Sequence, residues 1–232
     1  YGTDLTPAST LVDLIALIES RTTIKRLRLG SIEPNEITDE LIDFIGQSDV
    51  VCPHLHIPLQ SGDDQVLKRM NRHYSADAFY QLIEKTHSQL PGVAFGFDVI
   101  TGFPGETEEE FNNTARLIES LPTAYLHVFP YSRRPGTPAA DMRGQVAGDV
   151  AKERAATLRS LSIEKQQRYA ETFIGQNLDI VVEGGHLKSG CLKGLAGNYL
   201  PVTFAGDAHL AGTLQSVKII GWQNDALFGE LD

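Results

Sequence analysis

The sequence predicts an α/β protein with parallel βα units in residues 1–172 and a small antiparallel β-barrel in residues 173–232. Two observations support this division. Short apolar runs alternate with amphipathic helical segments in the first part, which is typical of right-handed βαβ units and a parallel sheet. After Phe173 the helical period stops, and short apolar runs are separated by glycine-containing turns, as in small β-barrels.

The first predicted element is a helix from Thr10 to Ser20, because apolar residues recur there with the spacing of one helix face. Strand–helix units follow it, and a capping-box pattern at Thr107 to Glu110 marks one helix start. A helix without a preceding strand, followed by βα units, indicates a βα barrel without its first strands. The predicted pairs are Ile24–Leu29 with Thr38–Gly46, His54–Leu59 with Ser75–Leu90, Val93–Ile100 with Thr107–Ser120, and Tyr125–Pro130 with Asp149–Thr172.

The second part contains short strand candidates at even spacing. Turns rich in glycine separate them, so the pattern favours an antiparallel barrel of the OB type. The predicted strands are Asn177–Glu183, Leu187–Leu195, Tyr199–Phe204 and Leu214–Gly221.

Composition narrows the classes of protein. The 232 residues are 41% hydrophobic, enough for one large core and a small one, and no apolar run approaches the roughly 20 residues of a membrane span. Two distant cysteines do not form a disulfide framework, so a reduced, cytoplasmic protein is expected. A net charge of −10 argues against extensive coating of nucleic acid, since phosphate binding depends on lysine and arginine.

Polar and glycine-containing segments follow the predicted parallel strands. The carboxyl ends of such strands surround the active site in βα barrels, so these segments are candidates for binding. Polar βα loops also occur in such folds without any binding role, and that reading stays open. The candidate residues are Ser31, Glu33, Gln60, Ser61, Gly102, Pro104 and Tyr131.

Three longer motifs carry a resemblance to a known family. They are the segment from His54 to Tyr74, Thr101-Gly-Phe-Pro-Gly-Glu-Thr107, and Phe129-Pro-Tyr-Ser-Arg-Arg-Pro-Gly-Thr137. Together they resemble the radical S-adenosylmethionine methylthiotransferases. The resemblance implies a radical-SAM-type barrel of which about four βα units are present here, and it implies that the candidate residues at the strand ends contact S-adenosylmethionine.

The resemblance also implies two [4Fe–4S] clusters, one of them held by a C-x3-C-x2-C run. This sequence has only Cys52 and Cys191, and it does not begin with Met. We therefore expect it to be a C-terminal part of such an enzyme, with no catalytic residue of its own and inactive alone. Cys52 is expected to be a buried apolar thiol. An apolar edge strand at Ile24–Leu29 would favour self-association.

The segment Leu29-Gly-Ser-Ile-Glu-Pro34 resembles the corresponding segment of family members that modify threonylcarbamoyladenosine next to the tRNA anticodon. Isopentenyladenosine, a ribosomal protein side chain, or a non-catalytic RNA-binding or scaffold role are the alternatives. By its position, the second part resembles the family's RNA-binding TRAM module, and this resemblance makes Lys188, Lys193 and Tyr199 candidate RNA contacts. The sulfur donor is not indicated.

Seven histidines raise the question of a metal site. His54 and His56 alternate on one strand face, but no paired CxxC, HExxH or other local ligand spacing occurs. The sequence therefore predicts no metal held by side chains of this chain.

Overall fold

The computed structural model describes residues 1–2, 4–184 and 190–232. The first part contains a three-stranded sheet and seven helices among these residues. Its elements are α1 (Leu11–Arg21), α2 (Asp39–Gln47), β1 (His54–Gln60), α3 (Asp64–Arg69), α4 (Ala76–Gln89), β2 (Ala94–Thr101), α5 (Glu108–Ser120), β3 (Thr123–Pro130), α6 (Pro138–Asp141) and α7 (Gly148–Glu171).

The sheet has the order β1-β2-β3, and both pairs of strands are parallel, as the βα alternation predicts. The prediction of a regular first strand at Ile24–Leu29 is wrong. Leu27 and Ser31 form only isolated parallel bridges, to Val51 and His56, so this segment runs beside β1 without a continuous ladder. The described part therefore contains three regular βα strands where the sequence predicts four.

The predicted helix starts follow their capping chemistry. The side chains of Thr10 and Thr107 each accept a hydrogen bond from the backbone N–H of the third helical residue. The carboxylate of that residue accepts in turn from the backbone N–H of the threonine. Between β1 and α4 the structure adds α3, a short helix that the periodicity did not predict, capped by Asp63. The predicted helices of the other units agree with α2, α4, α5 and α7 to within about two residues.

The second part is a closed barrel with the strand order β4-β5-β6-β8-β7. Its strands are β4 (Asn177–Val182), β5 (Cys191–Ala196), β6 (Pro201–Ala205), β7 (Leu214–Gln223) and β8 (Ala226–Leu231). The sequence missed β8, which pairs with both β6 and β7 and closes the barrel. The predicted strand from Leu187 begins outside the described residues, and β5 is its described portion.

Each part has its own apolar core. Leu55, Ile57, Phe95 and Phe97 point from the sheet toward the helices and are fully buried. Helix α7 contacts both cores, because Leu158 packs with the sheet and Ala170 packs with the barrel. None of the helices in the described ranges combines the length and the apolar composition required to cross a bilayer.

Candidate functional site

The concave face of the sheet carries a group of polar and aromatic side chains, and other polar side chains follow the carboxyl ends of its strands. Successive residues of a strand point to opposite faces. Leu55 and Ile57 on β1, Phe95 and Phe97 on β2, and Leu126 and Val128 on β3 pack in the apolar core. The residues that alternate with them share the opposite face, namely His54, His56, Asp98, Tyr125 and His127. Gln60, Thr101 and Pro130 end the three strands.

Ser31 and Glu33 lie beside the end of β1 and are exposed. Ile32, between them, donates its backbone N–H to the His56 carbonyl at 3.0 Å, which attaches this segment to β1. Both Glu33 oxygens accept from Arg72 Nη1, at 2.8 and 2.9 Å. The Glu33 carboxylate therefore already has a cationic partner in this structure.

Gln60 and Ser61 are both buried but have different surroundings. Gln60 has a φ of 62°, and its side chain makes no hydrogen bond to any described residue. The Ser61 hydroxyl lies 3.1 Å from Thr114 Oγ1, and the same Thr114 oxygen accepts from Gly62 N at 2.9 Å. Ser61 thus ties the loop to α5, whereas no side chain in the described ranges holds the Gln60 amide.

Gly102 and Pro104 belong to a loop that is held by a buried carboxylate. Glu106 Oε2 accepts from the backbone N–H of Gly102 and, at 3.2 Å, from that of Phe103. Arg154 on α7 lies 3.6 Å from the same oxygen and donates to the Glu106 carbonyl at 3.1 Å. Burial raises the pKa of Glu106, while the two N–H groups and Arg154 oppose that rise.

Tyr131 follows β3 and donates its backbone N–H to the Thr101 carbonyl at 2.8 Å. Its ring packs edge-on against Phe103, with centroids 5.4 Å apart. Its buried hydroxyl finds no hydrogen-bond partner within the described part of the chain.

A cavity of about 280 Å³ opens at the strand ends. Gln60 and Arg69 contribute polar atoms to it, and Ile100, Phe103 and Met142 contribute apolar surface. Arg69 donates to both oxygens of Glu110 at 3.0 and 2.8 Å, yet its buried Nε has no partner among the described residues. The cavity therefore combines apolar surface with polar atoms that are not fully satisfied.

A chain of hydrogen-bonding groups crosses the concave face below this cavity. Tyr125 Oη lies 2.8 Å from His54 Nε2 and 2.9 Å from His56 Nδ1. Burial, together with the neighbouring Arg28, His56 and His127, lowers the pKa of His54 to about 3. His54 is therefore neutral near pH 7. Sequence reasoning noted His54 and His56 on one face but missed the partners, which come from two other strands.

The β-barrel contacts this face through two arginines and one tyrosine. Arg26 donates to the Leu195 carbonyl at 3.3 Å, and Arg28 donates to the Ala196 carbonyl at 3.1 Å. Arg28 also lies over the Tyr199 ring, 4.6 Å from its centroid, and that ring is 5.2 Å from Tyr125. Tyr199, a predicted RNA contact, thus has a packing role at the junction of the two parts.

The other predicted RNA contacts are lysines of the β-barrel. Lys193 lies on β5 and is exposed, so its ammonium group can reach a partner. Lys188 lies outside the described residues.

Comparison with known proteins gives matches over the whole chain. A profile described as the Radical SAM superfamily matches residues 2–118. The chain is 41% identical over 226 residues to the threonylcarbamoyladenosine tRNA methylthiotransferase MtaB of Bacillus subtilis, covering 95% of this chain and 49% of that protein. It is 36% identical over 231 residues to the tRNA-2-methylthio-N(6)-dimethylallyladenosine synthase of Desulfitobacterium hafniense, covering 99% and 52%.

The chain thus spans about half the length of the curated relatives it matches. Among solved structures, the coproporphyrinogen III oxidase HemN of Escherichia coli, described as a radical SAM enzyme, superposes with a TM-score of 0.52. The superposition covers 81% of this chain and 49% of that one at 16% identity, so it shows a shared fold and no more.

Proposed function

Since this chain belongs to the radical SAM superfamily and to its methylthiotransferase family, we propose that the whole protein is a tRNA-modifying enzyme. We propose further that it adds a 2-methylthio group to N6-threonylcarbamoyladenosine beside the anticodon. The observation that carries this substrate is the 41% identity to the Bacillus subtilis enzyme over 95% of the chain. We propose a cytoplasmic location, because the proposed substrate is a tRNA.

A second substrate has a specific observation in its favour. The chain is 36% identical to the dimethylallyladenosine synthase of Desulfitobacterium hafniense over 99% of its length. Both relatives methylthiolate a modified adenosine according to their names, so the two proposals differ in the group on that base.

The mixed polar and apolar lining of the strand-end cavity suits part of S-adenosylmethionine, the cofactor that the family implies. Small-molecule sites combine apolar walls with a few convergent polar groups, and this cavity has both. Arg69 Nε has no partner in the part of the chain that the structure describes, and an arginine N–H suits a carboxylate oxygen such as that of the methionine portion of the cofactor. When bound, the cofactor and an iron–sulfur cluster supply radical chemistry that protein side chains lack.

The cluster itself does not fit this chain. Iron–sulfur clusters require several cysteine thiolates in one site, and the sequence contains two cysteines, Cys52 and Cys191. Cys52 is buried beside β1, whereas Cys191 begins β5 in the barrel. We propose that the ligands of the two expected [4Fe–4S] clusters belong to another part of the whole protein.

The residues of this chain would orient the cofactor and exclude water. Gln60, which lines the cavity, would offer its side-chain amide. Tyr131 would offer its ring and a hydroxyl that has no partner among the residues that the structure describes. Gly102 and Pro104 would shape the adjoining loop, which Glu106 holds against α7. Ser31, Glu33 and Ser61 would support these groups through the contacts described above.

The closed barrel is proposed to be the TRAM-like module that contacts the tRNA anticodon loop. Residues 173–232 contain three lysines and six acidic residues, a net charge of −3. Phosphate contacts would therefore be few and local, with exposed Lys193 as one of them.

The proposed substrate can be tested with the complete protein that contains this chain. We expect its expression in a bacterium lacking its own methylthiotransferases to restore 2-methylthio-N6-threonylcarbamoyladenosine. Mass spectrometry of digested tRNA measures this nucleoside. Restoration of the 2-methylthio isopentenyl nucleoside instead would select the second substrate, and restoration of neither would refute both.

Gln60→Ala is expected to raise the KM for S-adenosylmethionine of that complete enzyme at least about tenfold. A hydrogen bond to a charged group contributes about 1.5–3 kcal/mol, and 1.4 kcal/mol corresponds to tenfold. Gln65→Ala is the matched control, because Gln65 is exposed on α3. An unchanged KM in Gln60→Ala, with the control also unchanged, would remove Gln60 from the cofactor site.

A further inference from the structure

Three donor atoms from three strands meet on the concave sheet face. His56 Nε2 lies 2.9 Å from Asp98 Oδ1, and His127 Nδ1 lies 3.3 Å from the same oxygen. One potential ligand atom from each of His56, Asp98 and His127, a ring nitrogen or a carboxylate oxygen, lies within 4.8 Å of the other two. We propose that this cluster binds a divalent first-row transition metal ion such as zinc.

The spacing of the donors suits such an ion. Zinc binds imidazole nitrogen and carboxylate oxygen at about 2.0–2.2 Å. Neighbouring ligand atoms around an ion at those bond lengths are therefore separated by about 2.9 Å at right angles and about 3.4 Å in a tetrahedron. The two donor pairs at 2.9 and 3.3 Å match these separations, so an ion could enter with small side-chain movements.

The donor types point to the same class of ion. Two imidazoles with one carboxylate are typical of zinc and ferrous sites that keep open coordination positions. Calcium and magnesium prefer oxygen ligands alone. The donors therefore favour a transition metal ion such as zinc or ferrous iron. At least one coordination position of that ion would remain for water or another small ligand.

A neighbouring side chain would fix the orientation of one ligand. Metal-binding histidines usually donate their second ring N–H to a nearby acceptor, and this contact raises metal affinity. Tyr125 Oη, 2.9 Å from His56 Nδ1, is placed for that role. In the metal-bound form His56 Nδ1–H would donate to Tyr125, and Tyr125 would donate to His54 Nε2, 2.8 Å away.

Solvent can reach the cluster. The His127 side chain is 45% exposed, while those of His56 and Asp98 are 10% and 23% exposed. A cavity of about 420 Å³ on this face includes all three residues. A metal ion could therefore enter past His127 and be held against the buried His56.

The cluster is separate from the strand-end cavity. Asp98 precedes Thr101 by three residues on β2, which at about 3.3 Å per residue places them roughly 10 Å apart along the strand. Different residues line the two sites, so either proposal can fail without the other.

The competing explanation is a hydrogen-bonded cluster without a metal. In that case a proton on His56 Nε2 would occupy the 2.9 Å gap to Asp98, and His127 would contribute little. A metal ion instead requires all three donors. The two explanations therefore differ in the effect of removing His127.

The experiment titrates this chain, stripped with a chelator, with Zn²⁺ against a chromophoric competitor, and separately with Co²⁺ followed by visible absorption. A Cys191→Ser background removes the partly exposed thiol as an alternative ligand. One tightly bound ion per chain is expected. His127→Ala should weaken binding more than tenfold. Tyr125→Phe should weaken it about 10–100-fold, which is the usual effect of removing a hydrogen-bond partner of a metal-binding histidine.

His209→Ala is the control, because His209 is an exposed histidine of the barrel. It should leave the affinity unchanged. Equal affinities for His127→Ala and His209→Ala, or a Co²⁺ spectrum no different from that of aqueous Co²⁺, would overturn the proposal. Circular dichroism verifies that each variant is folded, and His127 is exposed enough for its truncation to be tolerated.

Discussion

Glu106→Ala is expected to lower the free energy of unfolding by about 3 kcal/mol, because it removes the partner of a buried cation and of two backbone donors. The Glu106 and Arg154 side chains are 4% and 12% exposed, so water cannot replace the lost carboxylate. Gly102 and Phe103 would lose the acceptor for their N–H groups. Chemical denaturation followed by circular dichroism measures the change.

An exposed pair gives the matched control. Glu164 and Arg168 lie one helical turn apart on α7, with side chains 65% and 74% exposed and 3.9 Å between their charged atoms. Glu164→Ala should change the free energy of unfolding by less than about 1 kcal/mol. Similar losses for both variants would show that burial of the Glu106–Arg154 pair does not determine its contribution.

The pH dependence of the same site has a definite sign. Burial raises the pKa of Glu106 in the folded state, so the folded protein holds this proton more tightly than the unfolded chain. Relative to Glu106→Gln, the wild-type protein should therefore lose stability as the pH rises from the ordinary pKa of a glutamate to the raised folded value. A parallel pH profile for the two proteins would contradict the raised pKa.

The local parts of this fold could be predicted from the sequence. Capping residues such as Thr107 act within three positions of the helix they start, so their effect is visible in a short window. Alternation of apolar runs and helices likewise predicts the parallel sheet. The wrong strand at Ile24–Leu29 shows the limit, because an apolar run does not reveal whether a neighbouring strand will pair with it along its length.

The closing strand β8 was missed for a related reason. Ala226 and Leu227 are buried, but the following residues are partly exposed and include Gly229 and Glu230. The strand exists because β6 and β7 both pair with it, and such pairing is a tertiary property.

The candidate sites likewise include residues that the sequence could predict and residues that only the tertiary structure brings together. Strand ends can be located from the order of elements, so Gln60 and Tyr131 were accessible to sequence reasoning. His56, Asp98 and His127 are separated by 42 and 29 residues, and only the register of β1, β2 and β3 brings them together. Glu106 meets Arg154 across 48 residues, through the packing of α7 on the sheet.

Gly102→Ala is the second change expected to have a large effect, a loss of about 4 kcal/mol in the free energy of unfolding. Gly102 has a φ of +74°, a conformation that costs an L-residue about 1–2 kcal/mol. An added Cβ would also overlap Ala151 Cβ and lie 3.1 Å from Ala151 Cα on α7. Overpacking of this kind costs about 1–3 kcal/mol more.

Two further variants separate these causes. Gly136 has a φ of +82°, and apart from its chain neighbours no atom of the described residues lies within 4 Å of an added Cβ, so Gly136→Ala should lose only the conformational part, about 1–2 kcal/mol. Ala151→Gly removes the overlapping methyl group, so Gly102→Ala should cost less in that background, by about 1–3 kcal/mol. Urea denaturation of the single and double variants measures the coupling. If Gly102→Ala costs the same with and without the Ala151 methyl group, close packing against α7 does not hold the loop beside the strand-end cavity, and the requirement for glycine there is conformational alone.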